Sequence, residues 1–410
     1  MAHRNNTIDD EIRQRHAEIA SLNKHIHDNP ELAYEEHKAH DAFVAALQSL
    51  GFNVTPHAYG LETAFSAEIG SGGRLVIFNA EYDALPGIGH ACGHNLISSA
   101  SFAAFLGAAA ALKASGRPGR LRLLGTPAEE GGGGKLKLIE NGAYQGASAA
   151  LMVHPGSARL LPPGVRGIAQ IRMLANVKMR AFFQGREAHA AIAPWDGVNA
   201  LDAVCLSYNG VSMLRQQIRP HERIHGVIRA GGTRPNVTPA DCVLEYYVRS
   251  ATRATAEALW QRVKNCMDGA ALATGCTVRY EPLNSYADVR PSKAICKAYV
   301  EAMEEAGCEG KVALDGPGAA EVLPGSTDMG NVCYECPGFH GVFGIESPAG
   351  ASNHTPGFAA SAGTEDALAR AIDCGRGMAR VAWKLLEDDA FAELVQKEWE
   401  EDMKLAAEGK

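Results

Sequence analysis

Apolar residues recur every three or four positions in the first fifty residues of the chain. One such run covers 8–28 and stops at an Asn-Pro pair, and a second covers 34–50 and stops at Gly51. Spacing of this kind, closed by residues that end helices, predicts two helices at the start of the chain.

Three short segments are apolar without alternation: 74–80 (RLVIFNA), 121–126 (LRLLGT) and 149–154 (AALMVH). Such runs are typical of strands that are buried on both faces. Helical runs at 96–114 and 135–142 separate them. Because strands alternate with helices, we predict an α/β fold with a mostly parallel sheet in three layers, in which ligands bind at the carboxyl ends of the strands.

The pattern changes in the middle of the chain. Segments that alternate hydrophobic and polar residues bracket two helical runs, 197–217 and 254–273, in the order β-α-β-β-α-β. This order predicts an inserted ferredoxin-like α+β domain at 172–288. The last part of the chain resumes the first pattern, so we predict a discontinuous first domain made of 1–171 and 289–410.

Composition and charge exclude several classes of protein. Of the 410 residues, 46% are hydrophobic and 21% are charged, as in ordinary soluble globular proteins. The 39 Lys and Arg against 47 Asp and Glu give a net charge of −8, which argues against a nucleic-acid partner. The longest apolar stretch, 96–112, is broken by serines and is shorter than the ~20 residues of a membrane span, so we predict a buried helix and no membrane partner.

The ten cysteines are scattered singly, except for the pair Cys333 and Cys336. This distribution is typical of a reducing compartment, and the first residues lack the apolar segment of a signal peptide. We therefore expect a cytoplasmic protein.

Residues able to ligate a metal follow the predicted strands. Cys92 and His94 lie in GHACGHN, and Glu129 and Glu130 follow the strand that ends in LLGT and precede four glycines. Either pair alone is more often structural than functional. His154 ends the third strand. Three consecutive strand ends thus carry Cys/His, Glu/Glu and His, and together they predict a metal site there.

The motifs together resemble peptidase family M20, the two-zinc aminoacylase and carboxypeptidase family. The similarity is greatest to its amidohydrolase branch, in which a Cys-Gly-His motif replaces the usual His-x-Asp and bridging Asp ligands. The nearest subgroup resembles dipeptidases that cleave β-alanyl-lysine, with p-aminobenzoyl-glutamate hydrolases close by. The segments that carry the resemblance are 27–32, 81–95, 125–135, 154–156, 185–203, 231–239, 325–331 and 353–355.

The resemblance implies two divalent metal ions, with zinc expected and manganese or cobalt also suited to such a site. The implied ligands are Cys92 as the bridge, His94 and His154 on one ion, and Glu130 and His354 on the other. Glu129 matches the general base. Glu81 matches an acidic residue that orients a metal ligand. Asn95 stands where many relatives have Asp.

The resemblance also assigns roles to the inserted domain. His189 matches a histidine that reaches the substrate carbonyl oxygen, commonly across a dimer interface, and acts as an oxyanion donor. Asn236 and Arg249 match residues that hold the substrate, and Ser326–Asp328 a substrate loop. A homodimer through the inserted domain is therefore expected.

The leading hypothesis is metal-dependent hydrolysis of an amide bond in a dipeptide or an N-acyl amino acid. A p-aminobenzoyl-glutamate type of substrate, or tailoring of a natural product, is an alternative within the same chemistry. A different mechanism would make Cys92 a nucleophile activated by His94. A different class would be a non-catalytic binding or scaffold paralogue.

Overall fold

A computed structural model of the protein describes residues 2–308, 310–316 and 322–410. The chain forms two compact units. The large unit consists of Met1–Arg172, Val289–Leu323 and Thr327–Lys404, and the small unit consists of Met173–Asp288, Pro324–Ser326 and Leu405–Lys410.

The helices and strands are numbered in chain order. The α-helices are α1 (Ala2–Gln14), α2 (His16–Asp28), α3 (His37–Ser49), α4 (His94–Ser115), α5 (Gly134–Glu140), α6 (Ala200–Leu214), α7 (Arg253–Thr274), α8 (Lys293–Glu305), α9 (Met329–Glu335), α10 (Pro356–Ala362), α11 (Glu365–Glu387) and α12 (Asp389–Ala407). The strands are β1 (Asn53–Pro56), β2 (Phe65–Ser71), β3 (Leu75–Ala80), β4 (Gly119–Gly125), β5 (Ala149–Ser157), β6 (Val165–Gln170), β7 (Ala175–Gln184), β8 (Arg223–Ala230), β9 (Asp241–Ser250), β10 (Thr277–Pro282), β11 (Lys311–Asp315) and β12 (Gly338–Ile345).

The large unit is built on one sheet with the strand order β1-β2-β4-β3-β5-β12-β6-β11. Its centre, β4-β3-β5-β12, is parallel, while β1 and β2 pair antiparallel at one edge. Every residue of β3 is buried, and β4 and β5 are nearly so, which confirms the prediction from their unbroken apolar runs. The parallel centre brings the carboxyl ends of β3, β4 and β5 to one edge.

Helices cover both faces of this sheet. Successive strand residues point to opposite faces. Phe78 packs into the core cluster that includes α4 and α11, whereas the neighbouring Asn79 donates from its side chain to Met329 of α9. The predicted three-layer α/β arrangement is therefore confirmed.

Helix α4 is the central helix of the large unit. By length and composition it is the single helix of the described chain that could cross a membrane, but 94% of its most apolar window is buried. Helix α1 packs against it at Gly107, where an added Cβ would come within 2.9 Å of Ile8 and Ile12. The prediction of a buried helix is thus confirmed.

The small unit has an antiparallel sheet with the order β10-β7-β9-β8, and helices α6 and α7 pack against it. The order β7-α6-β8-β9-α7-β10 is the predicted β-α-β-β-α-β pattern. Residues of β9 alternate strictly between buried and part-exposed, so one face of the sheet packs on the helices and the other face is open.

Candidate metal centre

Six predicted side chains of the large unit lie together at the edge of the sheet where β3, β4 and β5 have their carboxyl ends. His154 lies within β5, and the other five lie in segments that follow strands. Cys92, His94 and His154 offer ligand atoms within 4.8 Å of one another, and so do Cys92, Glu130 and His354. A third group contains His94, Glu129 and Glu130. Cys92 is the residue common to the first two groups.

A tight backbone turn sets Cys92 and His94 at the start of α4. Gly93, between them, has a φ of +80°, and an added Cβ would lie 2.6 Å from the Pro155 ring. This close approach brings the Cys92 Sγ to 3.5 Å from His154 Nε2. His154 donates from Nδ1 to the Pro155 carbonyl at 2.8 Å, so its Nε2 lone pair faces the thiol.

Asp83 orients His94 and was not singled out from the sequence. Its Oδ1 lies 3.0 Å from His94 Nδ1, and its Oδ2 accepts a hydrogen bond from the Glu130 backbone N–H at 2.8 Å. One carboxylate therefore positions two predicted ligands, and it leaves His94 Nε2 directed at the other donors. The signal that could have found it is the E-Y-D spacing, since residues 81 and 83 lie on the same side of an extended segment.

Glu81, predicted to orient a metal ligand, has a different set of contacts. Its Oε1 accepts from the Lys135 ammonium group at 2.5 Å, and its Oε2 lies 3.6 Å from His94 Nε2. Lys135 also donates to Asp328 at 2.6 Å, and all three side chains are fully buried. The contact that orients His94 Nδ1 thus comes from Asp83, while Glu81 belongs to a buried ion network beneath the site.

The segment after β12 contributes His354. Its Nε2 lies 3.1 Å from Glu130 Oε1, and its backbone N–H donates to the Ala91 carbonyl at 2.8 Å. The adjacent Asn353 side chain donates to the carbonyls of Cys92 and Pro155. These bonds tie the last third of the chain to the loops that carry the other predicted ligands.

Two residues at the site hold a left-handed backbone without being glycine. His354 has a φ of +68°, and Ala128, which precedes Glu129, has a φ of +61°. Such conformations cost of order 1–3 kcal/mol each and persist only where surrounding contacts enforce them. For Ala128 the contact is a hydrogen bond from its N–H to the buried Glu36 carboxylate at 2.8 Å. Glu36 was also not anticipated from the sequence.

The pKa values of the two adjacent glutamates, Glu129 and Glu130, are shifted in opposite directions. Burial raises the pKa of Glu129 well above its usual value, and the Glu81 and Asp328 carboxylates add to the effect. Burial also acts against ionisation of Glu130, but the hydrogen bond to His354 and the charge of His94 outweigh it and lower the pKa of Glu130 to about 2. Of the two carboxyl groups, Glu130 is therefore the one that more readily stays ionised, as a metal ligand must, and Glu129 is the one that more readily takes up a proton.

Burial raises the pKa of the Cys92 thiol to about 12. A thiol whose pKa is raised is a weak nucleophile, whereas coordination to a divalent ion deprotonates a thiol. This argues against the alternative in which His94 activates Cys92 for direct attack.

The sulfur, nitrogen and oxygen ligand atoms at the site suit a metal ion of borderline softness, such as zinc. Thiol, imidazole and carboxylate groups converge, and this mixture is typical of zinc sites. Within the described chain, His94 Nε2 and Glu81 Oε2 are buried with no hydrogen-bond partner. Buried polar atoms normally have partners, so a cation at this point would satisfy atoms that the protein alone leaves unpaired.

Asn95 has a structural role that a carboxylate could not fill. Its side-chain N–H groups donate to Asn23 Oδ1 and to the Ala362 carbonyl, both at 2.9 Å. An aspartate here would place an acceptor against the carbonyl acceptor in a fully buried position.

The other predicted site residues belong to the small unit. His189 and Asn236 lie on two adjoining loops: His189 forms a β-bridge with Val237, and Ala190 N–H donates to the Asn236 carbonyl. His189 Nδ1 accepts from the backbone N–H groups of residues 191 and 192, at 3.3 Å each. Because Nδ1 is an acceptor, the proton of the neutral ring is on the exposed Nε2.

Arg249 lies on the open face of β9. It donates to the Ser326 hydroxyl at 2.9 Å, and burial lowers its pKa from the ordinary arginine value. No hydrogen bond in the described part of the chain joins it to His189 or Asn236.

Comparisons with known proteins match the sequence and the fold of this chain. The pattern of the family described as Peptidase family M20/M25/M40 covers residues 77–380. An Xaa-Arg dipeptidase of Mus musculus is 39% identical over 398 residues, which is 93% of this chain and 88% of the relative. One of the p-aminobenzoyl-glutamate hydrolase chains of Escherichia coli is 33% identical over 321 residues, 73% of this chain and 65% of the relative. A solved Bacillus subtilis structure, described as a dinuclear metal binding peptidase from the M20 family, has a TM-score of 0.67 at 22% identity, covering 92% of this chain and 99% of that chain.

The fold and the relatives define a metal-dependent hydrolase of amide bonds. The chain belongs to peptidase family M20/M25/M40.

Asp83→Asn tests the double contact of Asp83. An amide cannot accept both the His94 and the Glu130 hydrogen bonds in the same way, and loss of such an orienting partner typically weakens metal binding ~10–100-fold. We expect a loss of this size in zinc affinity, measured by competition with a chromogenic chelator. Asp41→Asn, at a carboxylate that is 78% exposed, is the control. An unchanged affinity in Asp83→Asn would contradict the orienting role.

Proposed function

We propose that the protein hydrolyses the amide bond of a dipeptide or an N-acyl amino acid with two divalent ions, most simply zinc, held by the five predicted ligands. The observation that carries the proposal is that Cys92 is shared by two donor groups, one with His94 and His154 and one with Glu130 and His354. When bound, two such ions polarise the scissile carbonyl and lower the pKa of a water molecule.

Glu129 is the proposed general base. It is buried beside His94 and Glu130, and its carboxyl group has a raised pKa, as is suitable for a group that takes a proton from water and passes it to the leaving amine. Gly131, directly after Glu130, is exposed and has nothing within 4 Å of the position of an added Cβ, so substrate can approach the backbone closely there.

His189 is the proposed oxyanion donor. Its two backbone hydrogen bonds fix the tautomer that carries a proton on Nε2, which is the form needed to donate to a carbonyl oxygen that gains negative charge. Asn236 is held on the adjoining loop and is proposed to hold the substrate with it. Arg249 is proposed to bind the terminal carboxylate, for which a guanidinium fork is suited.

We propose a homodimer through the small unit. Strand β8 is the edge strand of its sheet and exposes Val227 and Ile228, at 53% and 46%. Leu206 and Met213, seven residues apart on α6, are also exposed, at 45% and 76%. An open edge strand with exposed apolar residues is a common site of association.

The class of substrate is tested by a hydrolysis screen of protein reconstituted with zinc, manganese or cobalt. The panel contains β-alanyl dipeptides, dipeptides ending in arginine, p-aminobenzoyl-glutamate and N-acyl amino acids, with products read by mass spectrometry. We expect turnover that is lost on prolonged chelation and restored by metal. Activity that survives chelation but is abolished by a thiol alkylator would support the Cys92 nucleophile instead. If the metal-loaded protein hydrolyses no member of the panel, a binding or scaffold role is favoured.

Glu129→Ala separates proton transfer from metal binding. We expect two ions per chain, as in the wild type, and a rate at least ~100-fold lower, since general acid-base groups typically contribute that much or more. Metal content is measured by mass spectrometry and the rate under saturating substrate. Glu35→Ala, at a carboxylate that is 76% exposed, is the matched control. Near-normal turnover of Glu129→Ala would refute the base role.

His189→Ala tests whether His189 is the oxyanion donor, and whether it acts in the site of its own chain or in that of the partner. We expect normal metal content and depressed turnover. If the histidine acts in the partner's site, mixed dimers that pair a His189→Ala chain with a Glu129→Ala chain regain part of the activity, because one of their two sites is intact. Absence of recovery in verified mixed dimers would count against sharing across the interface.

A further inference from the structure

The proposed base, Glu129, lies between two backbone N–H groups that are each held by a buried carboxyl group. Glu36 accepts from the N–H of Ala128 at 2.8 Å, and Asp83 accepts from the N–H of Glu130, also at 2.8 Å. Both acceptor side chains belong to the interior of the large unit. A buried N–H that loses its acceptor is costly, so each bond resists movement of the backbone it holds. The chain is thus fixed immediately before and immediately after the base.

The bond from Ala128 to Glu36 also holds an unfavourable backbone conformation. Ala128 has a φ of +61°, in the left-handed region that a residue with a Cβ seldom adopts. A second bond, from the Gly134 N–H to the Ala128 carbonyl, is longer, at 3.3 Å. Without Glu36, Ala128 can return to a negative φ, and a change of φ at this residue redirects the chain that follows it. The direction of Glu129 therefore depends on Glu36.

Glu36 is itself fixed by buried neighbours. The Thr63 hydroxyl donates to its second oxygen at 2.8 Å, and the Tyr82 hydroxyl donates to the Thr63 carbonyl. Burial, and then the charge of Asp83, raise the pKa of Glu36 to about 7. Both protonation states of a carboxyl group keep an oxygen that can accept from Ala128. The hold on Ala128 thus does not require that Glu36 be ionised.

Tyr34, two residues before Glu36, contacts the other end of the same loop. Its hydroxyl donates to the Gly132 carbonyl at 2.7 Å. An added Cβ at Gly132 would lie 2.9 Å from the Tyr34 ring and 2.6 Å from the Ala128 side chain, so the ring packs closely on the loop. The segment before α3 therefore holds the loop on both sides of the two adjacent glutamates.

We propose that Tyr34 and Glu36 form a clamp that positions Glu129 for proton transfer, and that Glu36 acts by keeping Ala128 in its left-handed conformation. The inference rests on the proposed function, in which Glu129 is the general base. Glu36 is a positioning residue, because it acts through Ala128. The clamp affects the rate more than metal binding, since Asp83 holds the backbone of Glu130 separately.

Glu36→Leu removes the acceptor and leaves a side chain of similar size. We expect the metal content of the wild type, a little-changed KM and a kcat lower by ~10–100-fold, because a displacement of about 1 Å at a reacting group can cost that much. Metal is measured by mass spectrometry, and the fold by thermal unfolding. Glu35→Leu, at the neighbouring carboxylate that is 76% exposed, is the matched control. Equal kcat values of the two variants would overturn the proposal.

Ala128→Gly tests the route of the effect. Glycine adopts a positive φ without the penalty that alanine has, so the loop needs Glu36 less. We therefore expect Ala128→Gly to raise the kcat of Glu36→Leu several-fold relative to its effect in the wild type. Damage to packing alone would not be rescued in this way. The same factor in both backgrounds would show that the two residues act independently, and would overturn the proposal.

Thr63→Val takes the place of Glu36→Leu in this comparison if the latter does not fold. It keeps the shape of the side chain and removes the hydroxyl that donates to Glu36. We expect a smaller fall in kcat and, again, partial rescue by Ala128→Gly. A normal kcat, or a fall that Ala128→Gly does not relieve, would overturn the proposal.

Amide hydrogen exchange tests the clamp without a substrate. We expect faster exchange in the peptide 126–134 of the metal-loaded protein in Glu36→Leu and in Tyr34→Phe than in Glu35→Leu. Unchanged exchange would overturn the clamp, whether or not the wild type hydrolyses any substrate. Absence of hydrolysis by the wild type would instead count against the proposed function. Faster exchange with a normal kcat would leave the proposed function standing and remove the positioning of the base.

Discussion

The metal centre depends on the buried carboxylate of Asp83. It fixes the imidazole of His94 through one oxygen and the backbone of Glu130 through the other, so it joins the segment after β3 to the segment after β4. Both segments are already brought to one edge by the parallel centre of the sheet. The sheet thus supplies the coarse placement, and a few buried hydrogen bonds supply the orientation that metal binding requires.

Much of this arrangement was readable from the sequence, because it depends on local pattern. Unbroken apolar runs marked β3, β4 and β5, and the candidate ligands Cys92, Glu130 and His154 follow or end such runs. Glu36 and Lys135 were missed for a common reason. Each acts through a contact with a residue far along the chain, as Glu36 does with Ala128 and Lys135 does with Asp328, and no spacing in the sequence encodes such a contact. Asp83 was missed although its two-residue spacing from Glu81 was available.

The net charge of the chain bears on one class of partner, nucleic acid, and gives no information about the site. A value of −8 argues against a broad basic surface, yet three cations stand together on the open face of the small unit. Strand pairing produces this concentration, because Arg223, Lys178 and Arg249 come from three different strands.

The position of His354 has a consequence for how the protein is made. The small unit is inserted between two parts of the large unit, and β12, which pairs with β5, follows that insertion. During synthesis the ligands up to His154 leave the ribosome long before His354 and its tether Asn353. Until the last quarter of the chain has been translated, the set of candidate metal ligands therefore lacks His354, and β5 lacks its partner strand β12.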